Sequence, residues 1–196
     1  MQTPNNIEQH PLKPFLPEGA KILMLGSFPP GRERWSMEFF YPNRQNDMWR
    51  IMGLIFFNNK DYFLNNNSNG FDRERIIEFC SKIGIALYDT AFEVRRLKAN
   101  ASDKFLEIVT PTNIESLIEQ LPACQAIVAT GQKAIDTIVE HFNCNAPAIG
   151  EFTQIEIATR KIDLWRTPST SRAYPLAIEK KAAIYHKMFT QEGILP

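Results

Sequence analysis

One loop of the sequence gathers aromatic rings, an arginine and asparagine amides. The segment Phe39–Trp49 reads FFYPNRQNDMW and holds Tyr41, Arg44 and Asn46. Aromatic rings can stack on a nucleobase, a contact worth about 1–3 kcal/mol per base, and an asparagine amide can orient a water molecule or bind a base edge. The same residues can instead be buried core aromatics and turn or cap residues. The loop is therefore either a nucleobase site or an ordinary core-and-turn segment.

Two other loops follow short apolar runs and could bind a ligand. Gly26–Pro30, with the sequence GSFPP, combines a glycine that lets backbone approach a ligand with prolines that stiffen the loop. It lacks the GxGxxG and GxxxxGK[ST] patterns, which disfavours a dehydrogenase or a P-loop NTPase. Thr167–Arg172, TPSTSR, carries small hydroxyls and an arginine that suit phosphates or a DNA groove. A Ser/Thr turn before the last helix is an equally good interpretation.

Apolar runs with alternating strand-like and helix-like patterns supply the scaffold for these loops. The buried-strand candidates are KILML (21–25), IALYD (85–89) and AIVAT (126–130), and one or both of FTQIEIAT (152–159) and KIDLWRT (161–167). Helical spacing occurs in DMWRIMGLIFF (47–57), RERIIEFCSK (73–82), NIESLIEQL (113–121), QKAIDTIVEHF (132–142) and LAIEKKAAIYHKMF (176–189). The alternation predicts an α/β fold, a three-layer α/β/α sandwich with ligands at the carboxyl ends of the strands.

Length and composition favour one globular domain. With 196 residues, 44% of them hydrophobic, we expect a single domain over 1–196 in which residues 1–20 form an extended, proline-broken lead-in. The net charge of zero argues against a protein that coats DNA through general basicity. Three cysteines without close pairing fit neither a disulfide framework nor a four-thiolate metal site, and no apolar run is long enough for a membrane span. The expected protein is a cytoplasmic monomer without a bound metal or cofactor.

Four motifs, taken in order, resemble the uracil-DNA glycosylase superfamily, most closely its hypoxanthine-DNA glycosylase and mismatch-specific branches. The motifs are GSFPP at Gly26–Pro30, the spaced set Tyr41, Asn46, Met48 and Trp49, GIALYD at Gly84–Asp89 with a following basic stretch and Ala101-Ser102-Asp103, and TPSTS at Thr167–Ser171. The resemblance is dense over 25–52, 84–103 and 165–173, and only the strand-helix pattern agrees between 104 and 161. It implies a central, mostly parallel four-stranded sheet. It also implies a monofunctional enzyme that hydrolyses the N-glycosidic bond of a flipped, deaminated base, uracil or hypoxanthine, in DNA.

The resemblance assigns roles to residues within these motifs. Asn46 is the main catalytic residue, holding the water through its carbonyl oxygen, and the loop containing Ser27 and Phe28 supplies amides for charge that develops on the base. The base-binding residues are Gly26, Tyr41, Asp89 and Ser169. The DNA-binding residues are Arg44, Arg95, Arg96, Pro168, Thr170, Ser171 and Arg172, with Arg32, Arg34 and Lys98 as further phosphate contacts. No lysine lies in a matched motif, so a Schiff-base lyase step is not expected.

The departures from the family pattern matter as much as the matches. Phe28 stands where other branches have Asp or Asn, and Thr167 stands where they have His, so neither position offers a water-activating group. Asp89 stands where a base-reading Asn is usual. An ionised Asp89 would accept the ring N–H of uracil or hypoxanthine but would face the neighbouring carbonyl oxygen unfavourably, whereas a protonated one could imitate the amide. Asp89 could also be simply a turn or cap residue.

Two other functions remain open from the sequence. The fold could be retained for binding damaged DNA after catalysis was lost, which Phe28 and Thr167 favour. A hydrolase of free nucleosides is the other possibility, and it would not need basic loops. The segments 32–50, 95–104 and 159–172 hold 12 of the 22 basic residues and only 5 of the 22 acidic ones. This contrast predicts one positively charged face that could meet DNA.

Overall fold

The computed structural model describes residues 6–97 and 105–195 of the chain. The strands are β1 (Ile7–Gln9), β2 (Ile22–Gly26), β3 (Ile85–Asp89), β4 (Ala91–Arg96), β5 (Leu106–Pro111), β6 (Ala126–Thr130), β7 (Phe152–Ile157) and β8 (Arg160–Thr167). The α-helices are α1 (Met48–Phe57), α2 (Arg73–Ile83), α3 (Ile114–Glu119), α4 (Gln132–Phe142) and α5 (Ile178–Gln191), and Arg32–Arg34 form a short 3-10 turn. No helix in these two described ranges is long and apolar enough to cross a membrane.

Five strands form the main sheet, in the spatial order β3-β2-β6-β8-β7. The first four run parallel to their neighbours, whereas β7 pairs antiparallel with β8. The expected sheet had four strands and was mostly parallel, so the observed sheet is one antiparallel edge strand wider. The reason is local: Ala158 and Thr159 have positive φ angles of 49° and 66° and close a two-residue hairpin between β7 and β8.

Continuous apolar sequence explains the centre of this sheet. Every residue of β2 and β3 is buried, as parallel strands covered on both faces require. Helix α2 has a cap residue at each end. Asp72 accepts a hydrogen bond from the Arg75 amide at 3.1 Å at its start, and Gly84 ends it in the left-handed conformation. Asn113 caps α3 in the same way as Asp72 caps α2, accepting from the Ser116 amide.

Helices pack against the sheet in two groups. On α1, the ring of Phe56 lies 5.0 Å from that of Phe79 on α2 and 5.2 Å from that of Phe189 on α5, so these three helices pack together. Helix α4 packs against β6 and β2. The connection from β2 to β3 moves towards one edge of the sheet, and the connection from β6 to β8 moves towards the other edge. Because crossovers between parallel strands are right-handed, α2 and α4 lie on opposite faces of the sheet.

A second, three-stranded antiparallel sheet has the order β1-β4-β5. Its inner side packs Val94 and Leu106 on Phe28. This sheet was not predicted, because its strands are short and mix polar with apolar residues. The described part of the lead-in supplies β1, and Phe15 pairs with Leu87 of the main sheet. Lys98 and the Ala101-Ser102-Asp103 motif lie outside the described residues.

Buried thiols and phenols give the fold a predictable response to alkaline pH. Burial raises the pKa of Cys124 from 9.0 to about 11 and that of Tyr88 from 10.0 to about 12, and it raises the pKa of Cys80 as well. The folded state therefore keeps protons that the unfolded state loses above about pH 9. We expect the free energy of unfolding to fall between pH 9 and pH 11, with Cys124 alone contributing about 2–3 kcal/mol.

Urea denaturation at pH 7, 9 and 11 under reducing conditions measures this effect. The quantity compared between the wild type and Cys124→Ala is the change in the free energy of unfolding with pH. The absolute values differ in any case, because the substitution removes packing contacts and lowers stability at every pH. The variant should lose less stability than the wild type between pH 9 and pH 11. Equal losses in the two proteins would contradict the assignment of this pH dependence to Cys124.

Candidate active site

A cavity of about 650 Å³ lies at the carboxyl ends of the parallel strands. It is lined by parts of all four sequence motifs: Gly26, Ser27, Phe28, Pro29, Pro30, Arg34, Phe40, Tyr41, Pro42, Asn43, Gln45, Asn46, Asp89, Thr130, Ser169, Thr170, Ser171, Arg172, Ala173, Tyr174 and Pro175. The sheet order explains the convergence, because β2, β3, β6 and β8 are consecutive neighbours whose carboxyl ends share one edge. The volume falls in the usual range for small-ligand sites and can hold a nucleobase with its sugar.

Asp89 and Gly26 stand opposite each other at the end of two neighbouring strands. A Cβ atom at Gly26 would overlap Oδ1 of Asp89 and would lie 3.5 Å from the hydroxyl oxygen of Tyr41. Glycine is therefore required by close approach at this position, since any other side chain would displace the carboxylate. Asp89 is only 7% exposed, yet it lines the cavity. Its carboxylate is thus a buried polar group presented at the cavity wall.

His10 is the buried partner of this carboxylate, and sequence reasoning missed it. Nε2 of His10 lies 2.8 Å from Oδ2 of Asp89, and Nδ1 lies 2.9 Å from the carbonyl oxygen of Leu12. The His10 side chain is fully buried against the rings of Phe28 and Tyr88. A lone histidine in a proline-broken lead-in gives no sequence signal for this contact. Only the pairing of β1 with β4 brings His10 to the end of β3.

Tyr41, in the second motif, contacts Thr130 at the carboxyl end of β6, and both residues line the cavity. The Tyr41 hydroxyl lies 2.8 Å from Oγ1 of Thr130, and the Tyr41 ring meets the Trp49 ring edge to face at 6.1 Å. Tyr41 has a φ angle of +50°, which is uncommon for a residue other than glycine, asparagine or aspartate. The surrounding contacts therefore hold this ring in one place on the cavity wall.

Asn46 is both a turn residue just before the N-cap of α1, Asp47, and a cavity residue, so the turn and the site interpretations are compatible. Its Oδ1 accepts a hydrogen bond from the Met48 amide at 2.9 Å at the start of α1. Asn46 also lines the cavity and pairs with Ser171 in an isolated bridge. A carbonyl oxygen has two acceptor positions, so the second one and the amide nitrogen can serve a water molecule. The contact to Met48 fixes the orientation of the amide.

A buried charge cluster fastens the Asn46 loop to the Ser169–Arg172 loop. The Asp47 amide donates to the Thr170 carbonyl at 2.8 Å, and Oδ1 of Asp47 accepts from Nε of Arg172 at 2.9 Å. Nζ of Lys181 donates to the Ser171 carbonyl at 2.8 Å and lies 3.7 Å from Oδ2 of Asp47. Burial lowers the pKa of Lys181, while the charge of Asp47 opposes that effect.

Thr167 faces away from the cavity. It is 1% exposed, and its Oγ1 lies 3.0 Å from both the Ala129 carbonyl oxygen and the Tyr185 hydroxyl. The Tyr185 hydroxyl in turn donates to the buried Pro168 carbonyl at 3.1 Å. Burial raises the pKa of Tyr185, so this hydroxyl keeps its proton. Thr167, Pro168 and Tyr185 therefore support the loop from behind, while Ser169 and Thr170 line the cavity.

Phe28 lines the cavity and also packs on the second sheet, which contains Arg96 in β4. The Phe28 ring packs in that sheet's core, and the Arg96 guanidinium lies 5.6 Å from the ring centre. Arg96 also donates to the Glu8 carboxylate and, at 2.7 Å, to the Pro29 carbonyl. Arg96 thus fixes the loop that carries Ser27 and Phe28. It does so through protein contacts, although the sequence assigned it to DNA.

The other basic residues differ in whether they lie at the cavity. Arg95 forms an ion pair with Glu107 at 2.9 Å, and Arg32 pairs with Glu38; neither lines the cavity. Arg34 and Arg172 line the cavity and stay about half exposed, although Arg34 lies 3.7 Å from Glu33 and Arg172 is bonded to Asp47. Arg44 is exposed beside them and has no ion pair within 6–97 and 105–195. The cations best placed to meet an anionic ligand are therefore Arg34, Arg44 and Arg172.

The side chains that line the cavity could bind a planar polar ring. It offers the aromatic rings of Phe40 and Tyr41, one buried carboxylate, one oriented amide and several hydroxyls. In the part of the chain that the structure describes, no three His, Cys, Asp or Glu side chains are grouped as a metal ion would need.

Solved structures include one with a similar arrangement of helices and strands. The chain is similar to the solution NMR structure of a putative uracil DNA glycosylase from Methanosarcina acetivorans, with a TM-score of 0.63 and 19% sequence identity. The match covers 96% of this chain and 99% of that chain. No family model matches the sequence, and no curated protein does. At this identity the similarity shows a shared fold.

Proposed function

We propose that this protein is a DNA glycosylase that hydrolyses the N-glycosidic bond of a flipped, deaminated base, uracil or hypoxanthine. The observation that carries the proposal is the convergence of all four motif loops on one cavity of about 650 Å³. The protein with the similar fold is a putative uracil DNA glycosylase, which supports the same chemistry. The whole chain, 1–196, would act as one domain and as a monomer.

The base would be held by stacking and by its polar edge. The flipped base would lie against the ring of Tyr41, which the hydroxyl of Thr130 and the ring of Trp49 hold in place. Asp89 would accept a hydrogen bond from the base edge, and Gly26 leaves room for that carboxylate. Ser169 lines the same cavity and would contact the base or its sugar.

Asn46 would position the attacking water. Its amide is oriented by the Met48 contact and cannot itself act as a strong base. In the reaction, the bond between C1′ and the base nitrogen breaks, the water oxygen bonds to C1′, and the water proton passes to the departing base. Correct placement of the water lowers the entropic part of the barrier. Backbone amides of the Ser27–Phe28 loop would stabilise negative charge on the base oxygen.

DNA contacts would come from the cavity rim. Arg34, Arg44 and Arg172 would bind phosphates, and Ser171 would enter the groove beside the flipped nucleotide. Lys181 is 1% exposed and lies behind Ser171, so it cannot reach a sugar carbon in the cavity. The burial of Lys181 supports a monofunctional mechanism.

A DNA-binding protein without catalysis is the second candidate. The observation that favours it is that neither Phe28 nor Thr167 offers a water-activating group: Phe28 is packed in a core, and Thr167 faces away from the cavity. Such a protein would use the same cavity to hold a flipped base. Such a protein would not activate water, so it would not release the base at all.

One assay separates the candidates. Duplexes with a single uracil, hypoxanthine or xanthine, and the corresponding free nucleosides, are incubated with excess protein, and freed base and retained DNA are both measured. The proposal expects free base from at least one duplex and none from the nucleosides. Retention of DNA without base release would support the binding protein, and release from nucleosides alone would contradict both candidates.

A further inference from the structure

The cavity carboxylate has two oxygens with different surroundings. Oδ2 of Asp89 is bonded to Nε2 of His10 at 2.8 Å. Oδ1 lies against Gly26, on the side of the Tyr41 hydroxyl, and both of these residues line the cavity. Any base in the cavity would therefore meet Oδ1 and not Oδ2.

The contacts of His10 restrict where protons can sit. A neutral His10 can accept from the Leu12 amide at Nδ1, which lies 3.2 Å away, and donate from Nε2 to Oδ2. A protonated His10 would instead donate from Nδ1 to the Leu12 carbonyl oxygen at 2.9 Å. A carboxyl proton on Oδ2 would be donated to Nε2. Oδ1 remains a hydrogen-bond acceptor in all three arrangements.

We propose that His10 is a positioning residue that makes Oδ1 of Asp89 a fixed acceptor, so that the site takes bases carrying a ring N–H and rejects bases with a ring nitrogen lone pair. This inference rests on the proposed function and names the substrate class of that site. Uracil and hypoxanthine present N–H groups at N3 and N1. Cytosine and adenine, the parents from which deamination produces them, present lone pairs at these positions and would face Oδ1 unfavourably.

The bond between His10 and Oδ2 also limits repulsion between the Asp89 carboxylate and a carbonyl oxygen of the base. An unrestrained carboxylate would bring one oxygen to the ring N–H and the other towards a neighbouring carbonyl oxygen of the base. With Oδ2 held by a fully buried imidazole, only one oxygen faces the base. His10 cannot touch the base itself, because its side chain has no exposed surface. Its hydrogen bond therefore acts on the base through Asp89, while its ring contacts with Phe28 and Phe40 are a matter of packing.

The test compares rates for a base with and without the ring N–H. Uracil and N3-methyluracil are placed in otherwise identical duplexes, and the single-turnover release of each is measured. The wild type should prefer uracil, and His10→Phe, which keeps the aromatic packing but has no N–H, should reduce that preference by about 10-fold or more. His10→Gln, which restores a donor, should retain most of it. His141→Phe removes an exposed histidine–carboxylate pair with Glu115 and should leave the preference unchanged.

A double-mutant cycle separates this role from a merely structural one. In an Asp89→Ala background, His10→Phe should change the preference for uracil no further. If His10→Phe lowers both rates equally, the proposal is wrong and His10 is only a packing residue. If the wild type releases no base, the proposed function fails instead. The same preference is then read from dissociation constants of the two duplexes, and an unchanged ratio in His10→Phe overturns the positioning role.

Discussion

Replacing Asn46 with alanine should reduce single-turnover base release about 100- to 1000-fold while leaving DNA binding within a few-fold of the wild type. The Asn46 amide lies at the cavity wall and is oriented by the contact of its Oδ1 with the Met48 amide. Loss of a positioned polar group of this kind typically costs about 2.7–4 kcal/mol of transition-state stabilisation. Quenched-flow or manual sampling with quantification of the free base gives the rate.

The turn contact of Asn46 must be separated from its role in the cavity. Removing the hydrogen bond to the Met48 amide should also lower the free energy of unfolding by about 1 kcal/mol. Asn113→Ala is the control for losing an asparagine side chain that accepts from a backbone amide at a helix start, because Asn113 caps α3 and does not line the cavity. It should lose comparable stability and keep full activity. If both variants lost base release to the same extent, Asn46 would be a structural residue only.

Asp47→Ala should lower the free energy of unfolding by about 3 kcal/mol or more. Asp47 is buried, and it faces Lys181, which is 1% exposed, as well as Arg172. Removing one partner of a buried ion pair leaves an uncompensated buried charge, which typically costs about 3–5 kcal/mol. Because burial already lowers the pKa of Lys181, losing Asp47 should lower that pKa further. Urea denaturation at pH 7 measures the loss.

A second substitution identifies the source of this loss. Asp47→Ala combined with Lys181→Met removes both buried charges and should recover at least half of the stability lost in the single variant. Asp72→Ala serves as the control, since Asp72 is a partly exposed cap on α2, and its loss should cost only about 1 kcal/mol. A loss for Asp47→Ala no larger than that of the control would contradict the buried-pair assignment.

The central strands and the helices could be predicted because the sequence patterns there are continuous. The runs that became β2, β3 and β6 are largely apolar, the helices show apolar spacing, and α2 and α3 also begin at an Asp or Asn cap. Parallel pairing then brings the loops after these strands to one edge. The meeting of the Gly26, Tyr41–Asn46, Asp89 and Ser169 segments follows from this arrangement.

Other features of the site could not be predicted, because they depend on contacts distant in sequence. His10 reaches Asp89 only through a three-residue strand paired with β4, and the Arg96 contact to Glu8 spans the same pairing. The turning of Thr167 towards Tyr185 depends on the position of α5. A single residue type, such as histidine in a lead-in or arginine in a basic stretch, carries no information about such partners.

The proposed reaction requires that a base enters this cavity and forms a hydrogen bond with Asp89. The structure of Asn46→Ala bound to a duplex with a single uracil tests it most directly. We expect the uracil ring against Tyr41, with N3 within hydrogen-bond distance of Oδ1 of Asp89 and Oδ2 still bonded to His10. A uracil that remains stacked in the duplex, or one that lies outside this cavity, would contradict the account.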